Sequence, residues 1–405
     1  MQLRFFLAIL TAALVVGCDD DASRDAGGGT DGAVPDGGAV EVDSGPLPDG
    51  AAPDGGGVDA GPGDRPIEAH DVERFPNSFG CCGHEINIVV AADRVPHVMG
   101  VRDRSGTRSL WYAARTGGTW TETNVTDDGS LPRPRERNTF ALAPDGSPHA
   151  LFSDGATLTY AWLDGTWQSM AVDATSSVGD TFRHFDIAVD AGGAPHVVWF
   201  DQTLEALRYG RWNGSAFEVE TIDAPAVADD QSGEFARLAL AADGMVHVSF
   251  LAIVSGAPVL RHARGTAGSW TVEDVPGMGK GVHGSMLLDS AGNPHIVSTD
   301  LRSSRARGIY WSAFDGSAWS ETELDADSSI VDADADLDPS DRAHVIISNS
   351  FGPAGYLQYL YPRNAGRDIY DVRGAVVGDA PESCDLDLHE GTPHVVNPNA
   401  YVTFP

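Results

Sequence analysis

Residues 185–222 read FDIAVDAGGAPHVVWFDQTLEALRYGRWNGSAFEVETI, and this stretch decides the fold. Phe185-Asp186-Ile187-Ala188-Val189 alternates apolar and polar, Ala191-Gly192-Gly193 turns, and Pro195 to Phe200 runs on as a second strand. Leu207 to Trp212 is a third strand and Ala216 to Ile222 a fourth, with Asn213-Gly214 read as a tight hairpin turn whose central residues need positive φ. The same phrase recurs along the chain: an apolar run, an Asp or Gly turn, then Pro-His-Val or a close variant. Its histidines are His97, His149, His196, His247, His295, His344 and His394, at spacings of 52, 47, 51, 48, 49 and 50 residues. Such a period means a propeller or a solenoid. Turn signals also precede Trp120, Trp167, Trp270 and Trp319, where the turns are Gly117-Gly118, Asp164-Gly165, Ala267-Gly268 and Asp315-Gly316. Four short strands per repeat, with no helical periodicity between them, make the blade of a β-propeller.

Counting closes the ring at seven blades. The seventh unit has only Asp385 to Leu388, Pro393 to Asn397 and Tyr401 to Phe404, so it lacks a fourth strand. The segment Pro66 to Val72, ahead of the first unit, supplies it and joins the two ends, which leaves no unpaired edge between first and last repeats. The expected domain, residues 65–405, is therefore an all-β, seven-bladed propeller of four antiparallel strands per blade, closed by an N-terminal strand.

Ahead of it, residues 1–17 carry one early positive charge, Arg4, and then an apolar run from Phe5 to Gly17, the pattern of a signal peptide. Leu14-Val15-Val16-Gly17-Cys18 resembles the bacterial lipobox. That resemblance implies that Cys18 becomes a lipidated N-terminus, which places the protein in the bacterial cell envelope, facing the periplasm or the cell surface, with the membrane as a partner through the anchor. Residues 18–64 form the tether. From Asp19 to Asp64 it holds twelve acidic residues, one basic residue and no aromatic, a composition that cannot bury enough surface to fold. As a flexible coil it reaches about 40 Å. With a net charge of -33 for the whole chain, nucleic acid and anionic lipid headgroups are excluded as partners.

The turn-plus-tryptophan signature resembles the Asp-box, or BNR, repeat of sialidase-like propellers, best seen in Ser312-Ala313-Phe314-Asp315-Gly316-Ser317-Ala318-Trp319. Its Asp is displaced by one residue from that pattern, and the other copies keep little beyond the Gly and the aromatic. Sialidase activity would require an arginine triad, a tyrosine nucleophile with a Glu partner and an Asp acid/base. Arg137 and Arg237 stand at inner positions, but no Phe-Arg-Ile-Pro motif and no identifiable nucleophile accompany them. The resemblance thus implies the fold rather than the activity.

One histidine per blade on the second strand cannot converge on a single metal, so the seven markers read as repeat-defining packing residues, and the four tryptophans as inter-blade core. The innermost strands are more informative. Aligned on the markers, Glu85, Arg137, His184, Phe235, His283, Asp332 and Ser383 share one level, and Asn87, Thr139, Asp186, Arg237, Ser285, Asp334 and Asp385 the next. Such variation at fixed positions fits a ligand-facing surface and equally a solvated channel. Asp332, Asp334 and Asp336 fall on one face of a strand, and Asp385 and Asp387 repeat the alternation on the neighbouring blade. Two carboxylates ~6 Å apart repel by roughly 3 kcal/mol at an effective dielectric of about 20. Either a cation binds, with Ca²⁺ favoured by oxygen-only ligands, or an arginine reaches across, or some carboxyls stay protonated. Cys384 begins the inner strand of the seventh unit while Cys81 and Cys82 precede that of the first, so a disulfide across the seam is expected, with a Cys-Cys-Gly-His84 metal site as the alternative.

The function expected from the sequence is a monomeric, non-enzymatic recognition module whose channel mouth, lined by Glu85, Arg137, His184, Asp186, Arg237 and His283, meets a glycan, peptide or protein. The competing readings are a carbohydrate-active hydrolase or lyase using paired carboxylates in the same mouth, and a structural role in the envelope.

Overall fold

The computed structural model describes residues 71–75, 86–104, 107–126, 131–135, 137–178, 185–228, 230–277, 281–282, 284–300, 308–325, 330–349, 356–363, 366–371, 384–397 and 400–403. Among them every regular element is a strand, and the strands form seven sheets of four. Ile67–Pro405 is a compact unit. Blade 1 is Ile86–Val90, Pro96–Arg104, Thr107–Thr116 and Thr119–Asn124, each strand antiparallel to the one before. Blade 3 is Phe185–Val189, Pro195–Asp201, Ala206–Trp212 and Phe217–Asp223, within a residue or two of the strands read from the sequence. The inner strands of blades 2, 4, 5, 6 and 7 are Asn138–Leu142, Gln231–Leu240, Met286–Leu288, Ile330–Leu337 and Asp385–His389. Each packs against the inner strands of both neighbouring blades, blade 7 against blade 1 included, so the ring is closed.

Burial follows position in the blade. The second strand of blade 3 is buried along its whole length because neighbouring blades cover both of its faces, and its composition, PHVVWFD, is correspondingly apolar. Outer strands such as Thr119–Asn124 keep alternate residues exposed. The core is a series of inter-blade clusters: Tyr112, Phe140 and Phe152 between blades 1 and 2, Leu151, Trp199 and Phe217 between 2 and 3, Val198, Tyr209 and Phe250 between 3 and 4. Each fully buried large apolar side chain contributes about 1.5–3 kcal/mol. All of these clusters lie within Ile67–Pro405, so this unit carries a complete core of its own.

The N-terminal strand closes blade 7 and is described over Asp71–Arg74; of the segment expected to supply it, Pro66 to His70 lie outside the described residues. Two tertiary contacts fix its register, which runs from Asp71 opposite Thr403 to Arg74 opposite Ala400. Phe75 is buried edge-on against Trp120 at 5.1 Å, and Glu73 accepts from Arg115 Nε at 2.6 Å.

The Asn213-Gly214 turn also differs from its reading. Trp212 pairs with Phe217, so the loop is four residues long. Asn213 Oδ1 accepts from the Ser215 and Ala216 backbone N–H groups at 3.0 and 3.1 Å, and only Gly214, at φ 97, is left-handed there. Asp315 does the same for Ser317 and Ala318 at 2.8 and 2.9 Å. The side chain of the Asp-box-like motif therefore organises its own turn. The two-residue turn sits instead at Gly117-Gly118, with φ of 60 and 81.

The marker histidines are structural. The Tyr209 O–H donates to His196 Nδ1 at 2.6 Å, and the equivalent bonds join Tyr112 to His97 and Tyr160 to His149 at 2.5 Å and Tyr401 to His394 at 2.6 Å. Tyr359 and His344 pair likewise. Burial lowers the pKa of these imidazoles, which leaves them neutral, with Nδ1 accepting. On the other side His196 Nε2 faces Asp190 at 3.3 Å and His344 Nε2 faces Asp338 at 3.4 Å. A Tyr-His-Asp chain seen once would resemble a catalytic relay; repeated from blade to blade, it is part of the scaffold. The tyrosine then meets the tryptophan of the next blade edge-on: Tyr112 on Trp167 at 5.7 Å, Tyr209 on Trp270 at 5.0 Å, Tyr401 on Trp120 at 5.5 Å.

Candidate binding site in the axial channel

An inner strand has no fifth strand to pair with, so its channel-side N–H groups need other acceptors. The second level of inner-strand residues supplies them from the preceding blade. Asp186 Oδ2 accepts from Leu238 N–H at 2.9 Å. Asp332, Asp334 and Asp336 accept from Cys384, Leu386 and Leu388 at 3.4, 2.9 and 2.9 Å. Asp385 accepts from Ile88 at 2.6 Å and Asp387 from Val90. Where the level holds no Asp, another side chain bridges. Asn87 Nδ2 donates to Asn138 O and Oδ1 at 3.0 Å, Thr139 Oγ1 to Asp186 at 3.2 Å and Arg237 Nε to Gly284 O at 2.8 Å, while Ser285 Oγ donates to Asp334 and accepts from Ala335 N–H at 2.9 Å. The seven residues Asn87, Thr139, Asp186, Arg237, Ser285, Asp334 and Asp385 thus form a continuous polar belt, one tie per blade interface.

The belt surrounds an axial cavity of about 460 Å³ lined by all seven inner strands, with Asp186, Arg237, Asp332, Asp334, Asp336, Asp385 and Asp387 in its wall. Six carboxyls face one guanidinium. Burial, reinforced by the charge of Asp387, pushes Asp336 up to about 8, and burial followed by Asp334 raises Asp385 well above the carboxylate range. Burial also raises Asp387, and it raises Asp186 in spite of Arg237. The charge of Asp334 adds to the rise at Asp385, and that of Asp387 to the rise at Asp336, so the like charges on the inner strands of blades 6 and 7 reinforce one another. Burial and mutual repulsion favour the protonated form of these carboxyls, one of the three compensations the sequence allows. Among the described residues no group of three or more acidic, His or Cys side chains converges as a metal shell.

Of the residues expected at the mouth, Asp186 and Arg237 line the cavity, while Arg137 lies one residue ahead of the inner strand of blade 2 and outside the lining. Glu85, His184 and His283 fall outside the described residues, as do Cys18, Cys81 and Cys82. Cys384 is buried at the channel end of blade 7.

Glu234 escaped the sequence reading. The inner strand of blade 4 runs over ten residues with register breaks at Ser232/Glu234 and Glu234/Arg237. Gly233, at φ +113, lies where a Cβ would come within 2.7 Å of the Leu207 backbone, and Phe235 takes a left-handed φ of 54. The bulge brings Glu234 into a setting where burial alone raises its carboxyl pKa. Two consecutive breaks in register leave no sequence signal except Gly233.

No protein-family model matches the chain, and no curated protein matches its sequence. Solved structures do. Polysaccharide lyase Uly1 superposes with a TM-score of 0.50 at 10% identity over 81% of this chain and 91% of its own. YCF48 bound to D1 peptide gives 0.49 at 13% identity over 84% and 96%, and the Hadza microbial sialidase Hz136 gives 0.41 at 11% identity over 78% and 64%. At these identities the likeness is one of fold: the chain is a seven-bladed β-propeller, an architecture that carries both binding proteins and glycan-active enzymes.

Proposed function

We propose that this chain is a lipid-anchored recognition module of the bacterial envelope, whose monomeric propeller binds a glycan, peptide or protein at the channel end where the inner strands begin. The observation that supports binding over turnover is the engagement of the channel carboxyls. Each of the six accepts a backbone N–H from the next blade, so among the described residues none belongs to an acid/base pair held open across a cleft. The anchor and tether rest on Cys18 and on the acidic stretch from Asp19 to Asp64. Ca²⁺ at Asp332, Asp334, Asp336, Asp385 and Asp387 is a separate proposal, which competes with protonation of these carboxyls and is tested by calorimetry with millimolar Ca²⁺. The function itself is tested on a glycan and peptide array with residues 65–405. Saturable capture of a defined ligand without chemical change supports recognition. Release of shortened or unsaturated sugars overturns it in favour of an enzyme.

A further inference from the structure

We propose that blades 3 and 4, at the end where their inner strands begin, dock a peptide segment that carries apolar side chains beside lysine or arginine. This rests on the recognition reading and names the partner for it. The connection from blade 3 to blade 4 opens with Ala224-Pro225-Ala226-Val227-Ala228, five apolar residues of which all but Pro225 are exposed, and ends in Asp229-Asp230. Val227 is 57% exposed and Leu204, on the neighbouring hairpin loop, 49%; they are the exposed large hydrophobics of the described residues. Bonds join these segments into one surface: Ser232 N–H donates to Glu205 O at 2.9 Å, and Asp230 N–H to Val227 O at 3.4 Å.

The surface is held in shape. Glu205, Phe235 and Ser255 are three of the six left-handed non-glycine residues among the described residues, and all lie in this sector. Ser232 Oγ is tied to Asp223 at 2.7 Å and Asp230 accepts from Ser255 N–H at 2.8 Å, so an exposed apolar loop stands on a fixed base. A rigid, exposed apolar patch marks an interaction site.

Charge selects the occupant. The exposed Glu205 and the half-buried Glu234 have no polar side-chain partner among the described residues, whereas the nearby cations are engaged: Arg261 with Asp223 and Asp274 at 2.8 and 2.9 Å, Arg208 with Asp173 at 3.8 Å. Free carboxylates beside aliphatic surface complement a basic and apolar segment. A second copy of this chain would oppose like charges across a two-fold axis. Among the described residues no exposed side chain of the patch is aromatic, which gives a sugar ring no exposed face to stack on.

The test uses three synthetic peptides of roughly 12 residues, within the span of a linear recognition motif: alternating Leu/Val and Lys, the same with Glu for Lys, and the same with Ser for Leu/Val. Binding to the Ile67–Pro405 unit is read by fluorescence anisotropy at physiological salt. The apolar basic peptide is expected to bind one-to-one and about tenfold or more tighter than the other two. Leu204→Ser with Val227→Ser, and separately Glu205→Gln with Glu234→Gln, should each weaken it by about tenfold without lowering the melting temperature. Equal binding of the Ser/Lys peptide, or wild-type affinity in either double variant, overturns the proposal as mere attraction to an acidic protein. If no peptide binds while the array returns a glycan, this inference fails and the recognition reading stands; a blank array as well removes both.

Discussion

Replacing Asp336 by Asn should make the ring less sensitive to alkali. Asp336 is held near pKa 8 by burial and by Asp387, against 3.8 for an ordinary aspartate. A carboxyl raised in the fold keeps its proton where the unfolded chain has released it. Stability is then full below about pH 4 and is lost as pH climbs through 8, at about 1.4 kcal/mol per pH unit for each proton. The histidines act in a different window. Burial pushes His247 and His394 down to about 4, so the fold refuses protons that the unfolded chain takes up below about 6.5, and stability declines from there toward acid. At pH 6.5 the histidines of the unfolded chain are still about half protonated, so each buried histidine adds a rise of about 0.4 kcal/mol between pH 6.5 and 8, while one raised aspartate accounts for a fall of about 2 kcal/mol over the same range. With an unfolding entropy of about 2.1 cal/mol/K per residue over Ile67–Pro405, 2 kcal/mol corresponds to a fall in Tm of roughly 3 °C. In Asp336→Asn the carboxamide oxygen can still accept from Leu388 and the uncharged NH₂ takes the place of the protonated oxygen. Between pH 6.5 and 8 the variant should lose about 2 kcal/mol less stability than the wild type, and it should be the more stable protein at pH 8. Glu234, raised by burial, slopes in the same direction, so the comparison between variant and wild type is the measurement, made by calorimetry at pH 6.5, 7.2 and 8. A pH dependence in Asp336→Asn identical to that of the wild type refutes the proton held at Asp336. A Tm at pH 8 raised by millimolar Ca²⁺ and lowered by a chelator replaces it with a cation.

Cys18→Ser should move the full chain from the detergent to the aqueous phase on partitioning, and unchanged partitioning removes the lipid anchor. Non-reducing peptide mapping should find Cys384 joined to Cys81 or Cys82, a bridge that closes a loop of ~300 residues and stabilises by about 5 kcal/mol on chain-entropy grounds; a vicinal Cys81–Cys82 bond or three free thiols excludes it. Tyr209→Phe strips His196 Nδ1 of its buried donor and should cost about 1–3 kcal/mol in urea denaturation, whereas a loss below 0.5 kcal/mol would mean that the His-Tyr pairs contribute only packing.

The period of the seven histidines was enough to read the blade count and the closure, because each blade repeats one packing problem. What escaped was whatever depends on a partner in another blade. The aspartates of the inner strands were visible as a charged face, but their acceptor role was not, since the N–H groups they serve lie 52 residues downstream and belong to a strand edge. The tyrosine that caps each marker stood in plain view yet shifted from 7 to 15 residues beyond its histidine, as hairpin length varies between the second and third strands. In blade 4 the position is taken by His262, with its Nε2 3.1 Å from His247, and in blade 5 by Trp311, which leaves His295 Nδ1 buried without a partner among the described residues. The closing strand was legible as a segment ahead of the first unit, but its register was not, since that is decided by Phe75 and by the Glu73–Arg115 contact, both tertiary.

Pairing Asp71 with Thr403 also sets an order of events during synthesis. A chain made from its N-terminus presents Asp71–Arg74 first and Ala400–Thr403 last, so the earliest strand waits through the whole of translation for its neighbour. Six blades can assemble from hairpins as they emerge, but the seventh cannot. A stop codon a few residues before Ala400 would remove one short strand and orphan another more than three hundred residues away, leaving sticky edges at both ends of an opened ring. Nonsense changes just ahead of Ala400 should therefore be as damaging as those in the middle of the ring, and the protein retained should be mostly aggregate.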